Sequence, residues 1–520
     1  MPTIGSALTT SAQRCPDRTA LVYGDTRRTY RELDAEVNRA AHALAKVGLT
    51  KGDRFALMAG NSDRFVIAFY AAVKLGAVVV PINPRSAPPE LRYLLEDSGA
   101  TVLAFDSTVA AVVHEMTEAS PNDDAQVLLL ALGVVEGYPS LAELAEQETT
   151  EHPDMQVLET DDSLILYTSG TTGKPKGALF DHHRTIWVGV SITSLFGITD
   201  GDRLLHVAPL YHAAELTMML IPGTMVGATH VILPAFDPAA VLEVFESEKI
   251  TGFFGVPTMY QLLLRQPDLG KRDLSSWRTG IFGAAPMPAA AVERLLEALP
   301  QVELYQACGQ TEGGPGGIYS RPAEVRAKPS ASGRSSLLAT VVRVVDPEGK
   351  DVPAGSTGEL IMQGETVMKG YWNKPAETAD AIRDGWLHTG DLANVDSDGY
   401  ITLVDRMKDM IITGGRNVYS VEVESALAGL AGVADCAVVG RKNEEYGETI
   451  VAIVTPLPGC EITLEDLREG ASKLISNYKL PRELVIAEIP RNPSGKILKH
   501  KLRDRLTETF TSDPVSAPST

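Results

Sequence analysis

Cysteine is scarce in this chain, and what there is stands apart. Cys15, Cys308, Cys436 and Cys460 form no CxxC pair, which excludes a zinc-finger site and a disulfide framework. Scattered thiols fit a reducing compartment, so a cytoplasmic location is expected. Long apolar runs are missing too. The longest, residues 127–135, falls far short of the ~20 residues needed to span a bilayer. Residues 1–20 lack the apolar stretch of a secretory signal. Basic charge is in deficit: 47 Lys and Arg against 67 Asp and Glu leave a net charge of −20. Such a field repels nucleic acid, and an anionic substrate needs a local basic patch. The same argument requires a local basic or apolar patch for any peripheral membrane contact.

The chain has 520 residues, 44% of them hydrophobic, enough for more than one domain at ~100–200 residues each. Residues 29–48 read as a helix. Thr29 and Glu32 are spaced as a capping box, Leu33, Val37, Ala40, Ala41, Leu44 and Val47 recur at helical spacing, and Gly48 ends it. A second helix is predicted over 62–75, followed by a buried strand, AVVVPIN. Helices and short apolar strands alternate in this way to about residue 300, the pattern of an α/β layered architecture. From about residue 335 short strands broken by Pro, Gly and Asp turns predict a β-rich subdomain. Beyond Met407 the pattern helix, strand, strand, helix reads as a small α+β domain. The expected division is therefore 1–407, 408–509 and a disordered Ser/Thr/Pro-rich tail at 510–520.

Residues 167–177 read YTSGTTGKPKG, directly after the apolar Leu164, Ile165 and Leu166. Glycines permit positive φ and close backbone approach. Their N–H groups, the hydroxyls of Ser and Thr, and the Lys charge suit a polyphosphate. The stretch is not a Walker A loop, because Lys176 is followed by Gly177 rather than Ser or Thr. It resembles the phosphate loop of the adenylate-forming superfamily: acyl-CoA synthetases, peptide-synthetase adenylation domains and luciferases. PLYHA (209–213), GVPTMY (255–260), GAAPMP (283–288), TGD (389–391), DRMKDMIITGGRNVYS (405–420) and PRNPSGKIL (490–498) follow in that family's order. The resemblance covers essentially the whole chain and is closest to bacterial fatty-acyl-CoA ligases.

This resemblance implies a large N-terminal domain of layered α/β subdomains and a small, mobile C-terminal domain. It implies a two-step reaction: a carboxylate attacks the α-phosphate of ATP, releasing pyrophosphate, and a thiol then takes the acyl group from the adenylate. The expected activity is an ATP-dependent acid–CoA ligase for a medium- or long-chain fatty or other hydrophobic acid, with ATP, Mg²⁺ and coenzyme A as partners. A carrier-protein thiol is the alternative acceptor, and a non-catalytic acyl or nucleotide sensor the remote one. A homodimer is expected from base rates.

By resemblance, Thr168, Ser169, Gly170, Thr171, Thr172, Gly173 and Lys176 hold phosphates. Glu312, with Thr168, binds magnesium, as carboxylate oxygens do. Thr311 reaches the α-phosphate, Asp391 and Arg406 the ribose, and Gly283, Ala284 and Ala285 line the adenine. Lys496 binds the attacking carboxylate. Gly414 and Gly415 let the pantetheine arm pass, and Lys408 is the hinge. His212 lies near the acyl entrance, or simply caps a helix, and Trp187 and Tyr211 line the acyl pocket. The bland readings are solvated Glu and Lys side chains, a turn for Asp391 and an ion pair for Arg406. One departure stands out: the family's YGxTE is CGQTE here, so Cys308 replaces the Tyr that stacks on adenine. Tyr305 could compensate. The glycines of GGPGG (313–317) either widen an acyl channel or form a loop.

Overall fold

The computed structural model describes residues 2–118, 127–168, 174–285, 287–491 and 497–511. Thr29 opens the helix Tyr30–Lys46 with a reciprocal capping box to Glu32, and Ser62 caps Asp63–Lys74. Both helices are packed by the apolar face that the periodicity predicts. Tyr30–Lys46 packs on Asp63–Lys74, which in turn packs on strand Val78–Ile82, every residue of which is buried.

Two sheets form the body of the first compact unit, residues 1–342 with 362–388. In one, Thr19–Tyr23, Thr229–Ile232, Arg203–His206, Gly252–Gly255, Thr279–Gly283 and Glu303–Gly309 run parallel in that spatial order. In the other, Leu128–Ala131, Ala100–Phe105, Arg54–Met58, Val78–Ile82 and Asp162–Thr168 are parallel. That sheet continues through the antiparallel strands Lys176–Asp181 and Gly370–Tyr371. Near-continuous apolar strands are what a parallel sheet covered on both faces requires. Thr168, Gly283 and Gly309 are each the last residue of their strand. Ligands of open parallel sheets collect at such carboxyl ends.

The second compact unit comprises 343–361 with 389–520. Its β-rich part pairs Trp386–Val395 with Ile401–Arg406, Asp391 opposite Arg406. The remainder is a sheet of Arg416–Val418, Ile411–Thr413, Gly447–Pro456 and Val433–Asn443, with Glu483–Ile486 beside Gly447–Pro456. Helices Ser420–Ala428 and Leu464–Ser472 contribute to its core. The C-terminal helix Lys499–Thr511 begins just past the predicted PRNPSGKIL segment. Among the described residues no helix is long and apolar enough to cross a membrane.

Candidate active site

The two strands that flank the phosphate loop form an antiparallel hairpin with Thr168 opposite Lys176. The loop residues Ser169, Gly170, Thr171, Thr172 and Gly173 lie outside the described residues, as does Lys496. Thr168 Oγ1 donates to Glu312 Oε1 at 3.2 Å, and the Tyr371 hydroxyl donates to the same oxygen at 3.0 Å. Lys176 Nζ lies over the Tyr371 ring, 5.2 Å from its centroid, a cation–π contact. Glu312 sits on the single 3₁₀ turn Thr311–Gly313, next to Thr311, and its carbonyl accepts from Met368 N at 2.9 Å. Burial and the neighbouring Glu312 carboxylate push the Tyr371 hydroxyl far above its ordinary range, so it stays a donor.

Tyr371 was not singled out by the sequence. It arrives through the strand Gly370–Tyr371, which pairs with Lys176–Asp181 so that Tyr371 lies beside Ala178. The only hint is a Tyr-Trp pair between Lys369 and Lys374. A second set of unsuspected residues braces the hairpin from the other side. Asp97 accepts from the Tyr167 hydroxyl at 2.7 Å and pairs with Lys374 at 2.5 Å. The Tyr93 hydroxyl lies 3.2 Å from Asp97 and 2.9 Å from the Pro175 carbonyl at the loop's exit. Lys174 Nζ stands 5.1 Å from the Tyr93 ring centroid. Asp97 ends a helix with nothing in its sequence to mark it.

Gly283 leaves no room for a side chain: a Cβ there would meet the Ala307 carbonyl oxygen at 2.2 Å. Ala284 follows with φ of 65°, a left-handed conformation that L-residues occupy at some cost and that clusters at binding sites. Ala285 is the next residue of the same bend. The GGPGG glycines belong to a densely folded loop. A Cβ on Gly314 would meet Thr366 O at 2.2 Å, on Gly316 Gly313 O at 2.4 Å, and on Gly317 Cys308 O at 2.1 Å. Close backbone approach therefore accounts for these glycines without a channel. Tyr305 is 8% exposed and packs edge-on against Phe196 at 5.1 Å. Tyr305 stands three positions before Cys308 on the strand Glu303–Gly309, so the two side chains leave opposite faces and Tyr305 is not positioned to replace the missing ring.

His212 caps the short helix Ala213–Glu215, its Nδ1 accepting from Ala214 N at 3.3 Å. The capping reading thus holds in the geometry. Trp187 is 36% exposed, its ring edge-on to His183, while Tyr211 packs against the core of the other sheet. A distinct apolar cluster brings together residues from four separate stretches of the chain. Ala208, Ala214, Met218 and Met219 meet Phe254, Tyr305 and Ala307 there, with Val188 and Ile192 from the helix His182–Phe196.

In the second unit Arg406 Nε lies 3.3 Å from Asp391 Oδ1. Asp391 N donates to Thr389 Oγ1 at 3.0 Å, and Gly390 N to Glu359 at 3.0 Å, which fixes the TGD turn. Gly414 and Gly415 have φ of 57° and 72° between strands joined by a two-residue turn, Thr413 opposite Arg416. Two positive φ values in such a turn call for glycine on conformational grounds alone. Asp405 accepts from Ser420 Oγ at 2.8 Å, and Asp409 pairs with Arg503. Both flanks of the Lys408 segment are therefore tied to the small domain's helices.

Strand-end glycines, a hairpin stem and a lone Glu within reach of two hydroxyls are features suited to binding a nucleotide's phosphates. Residues 8–372 match the AMP-binding enzyme family and residues 422–496 its C-terminal domain. The chain is 40% identical to feruloyl-CoA synthase of Amycolatopsis sp over 503 residues, 96% of this chain and 99% of that protein. It is 36% identical to the long-chain-fatty-acid–CoA ligase FadD13 of Mycobacterium tuberculosis, over 93% of this chain and 94% of that one. The crystal structure of ATP-bound MatB from Rhodopseudomonas palustris superposes with a TM-score of 0.88 at 29% identity, covering 98% and 99% of the two chains. The chain belongs to the AMP-binding, adenylate-forming enzyme family. Within it, the protein is an AMP-forming acid–CoA ligase, and such ligases use ATP, Mg²⁺ and coenzyme A.

The described residues contain no cluster of three metal-ligating side chains. Glu312 and Thr168 set one carboxylate and one hydroxyl side by side, oxygen donors of the kind that Mg²⁺ accepts.

Proposed function

We propose that the enzyme activates a hydrophobic carboxylic acid, a medium- or long-chain fatty acid or a ring-bearing one, and passes the acyl group to coenzyme A in the cytoplasm. The apolar cluster uniting residues 208–219, 254 and 305–307 with the helix 182–196 supports this reading. Within the proposal, Glu312 with Thr168 holds the metal, which neutralises phosphate charge when bound. Lys176 and the loop residues Ser169, Gly170, Thr171, Thr172 and Gly173 hold the β- and γ-phosphates. Thr311 contacts the α-phosphate, and Gly283, Ala284 and Ala285 pack on adenine. Asp391 and Arg406 bind the ribose, His212 borders the acyl entrance and Lys496 steadies the attacking carboxylate. Preorganised charge of this kind is what in-line displacement at phosphorus requires.

The two halves of the reaction follow from two positions of the domain beyond Met407, one delivering Lys496 and the other Gly414 and Gly415. Lys408 is the pivot. Lys408→Pro is expected to leave adenylation in place and to slow thioester formation from preformed adenylate by at least ten-fold. Full-rate thioester formation in that variant would sink the pivot. The acid itself is tested by pyrophosphate release across a chain-length series. Octanoate and longer acids are expected to exceed acetate in kcat/KM, and equal or better activity on acetate would refute the hydrophobic pocket.

A further inference from the structure

A polar chain lies buried against the proposed acyl cluster. His206 and Glu215 are 0% exposed, and His230 and Thr224 are 1% exposed. Glu215 Oε1 lies 2.6 Å from His206 Nδ1, His206 Nε2 lies 2.8 Å from His230 Nδ1, and His230 Nε2 lies 3.1 Å from Thr224 Oγ1. The Thr224 hydroxyl donates to Leu220 O at 2.9 Å. Gly223 makes the space, since a Cβ there would meet His230 Cε1 at 2.6 Å.

The direction of every proton in this chain follows from its Thr224 end. A hydroxyl has one hydrogen, and that of Thr224 serves Leu220, so His230 Nε2 must donate to Thr224. His230 Nδ1 is then an acceptor, His206 Nε2 a donor and His206 Nδ1 an acceptor. Glu215 Oε1 must therefore carry a proton. Burial agrees: it raises the Glu215 carboxyl well above the carboxylate range and depresses both imidazoles, His206 to about 3. This leaves Glu215 Oε2 as a carbonyl-type acceptor. Among the described residues it is buried and has no hydrogen-bond partner. Such an orphan costs free energy unless something donates to it. Met218 and Met219, one helical turn beyond Glu215, belong to the same apolar cluster as Ala214, Phe254 and Tyr305.

We propose that Glu215 is a specificity-determining residue, whose second carboxyl oxygen accepts a hydrogen bond from a hydroxyl or N–H at the end of the acid remote from its carboxylate. The inference rests on the acyl-site reading above. A site built to hydrogen-bond a substrate group discriminates against the analogue that lacks it far more than an apolar pocket discriminates against one methylene.

The test measures kcat/KM for pyrophosphate release with matched acids: para-hydroxycinnamate against cinnamate, para-hydroxyphenylpropanoate against phenylpropanoate, and omega-hydroxydecanoate against decanoate. The native enzyme is expected to favour the hydroxylated member of at least one pair by about ten-fold or more. Glu215→Gln keeps an acceptor and a donor and is expected to keep the preference. Glu215→Leu is expected to bring the ratio near one, and Glu215→Met serves if that variant does not fold. Ratios near one in every pair for the native enzyme, or a preference that survives the apolar substitution, would overturn the inference. Turnover of these acids without preference leaves the acid–CoA ligase reading intact. Absence of release with any acid would instead overturn that reading.

Discussion

At the scale of single residues, Glu312 is the centre of the account. Two hydroxyls converge on its Oε1, from Thr168 and Tyr371, and Tyr371 in turn carries Lys176 on its ring. The proposed role of this carboxylate is to hold a cation, which its amide would not do. Glu312→Gln is expected to lower kcat for adenylation by about a hundred-fold or more, the scale of losing one preorganised electrostatic partner. Pyrophosphate release at saturating ATP measures it; a loss below three-fold would remove Glu312 from the metal site. Glu312 was legible because its neighbours form a motif. Tyr371 was not, because its place depends on pairing with the remote strand Lys176–Asp181 and the Glu312 it meets lies 59 residues away in sequence. Cys308 remains a true departure, since Tyr305 is committed to the core beside Phe196.

At the scale of elements, the phosphate hairpin is held from outside its own sequence. Asp97 joins Tyr167 in the entering strand to Lys374 beyond the strand that flanks the exit, and Tyr93 reaches Pro175. Asp97→Ala leaves a partly buried ammonium and a partly buried phenol without their acceptor. The expected cost is about 2–3 kcal/mol of stability, together with a several-fold rise in KM for ATP. Denaturant unfolding and ATP titration of the rate check both. Unchanged KM with reduced stability would show that the brace serves the fold alone. Helix Tyr30–Lys46 and strand Val78–Ile82 were readable because periodicity, caps and apolar runs are local properties. The Asp97 brace was not, because it assembles residues from four separate segments that no local pattern links. The glycine-rich stretch after Glu312 could be read from sequence either as a loop or as a widened channel. Its reason, backbone carbonyls within 2.4 Å of where a Cβ would stand, needed coordinates.

At the scale of the whole molecule, the chain carries its phosphate stem and Glu312 in one compact unit and Asp391 with Arg406 in another. The motif order made the division into a large and a small part legible, since each motif had to serve a different stage of one reaction. The identity of the acid was less legible. The cluster proposed to receive it joins residues spread from Val188 to Ala307 that meet only in the fold, and the buried chain through Glu215 has no signature in sequence. The net charge of −20 sets a further condition at this scale: ATP and coenzyme A approach against the overall field, so local cations such as Lys176 must outweigh it at short range. The measurement that tests the central claim most directly is pyrophosphate release with ATP, magnesium and a hydrophobic acid, run with and without coenzyme A. The account predicts stoichiometric release to bound adenylate without coenzyme A, and continuous turnover to acyl-CoA and AMP with it. Absence of acid-dependent pyrophosphate, or adenylate that coenzyme A does not discharge, would contradict it.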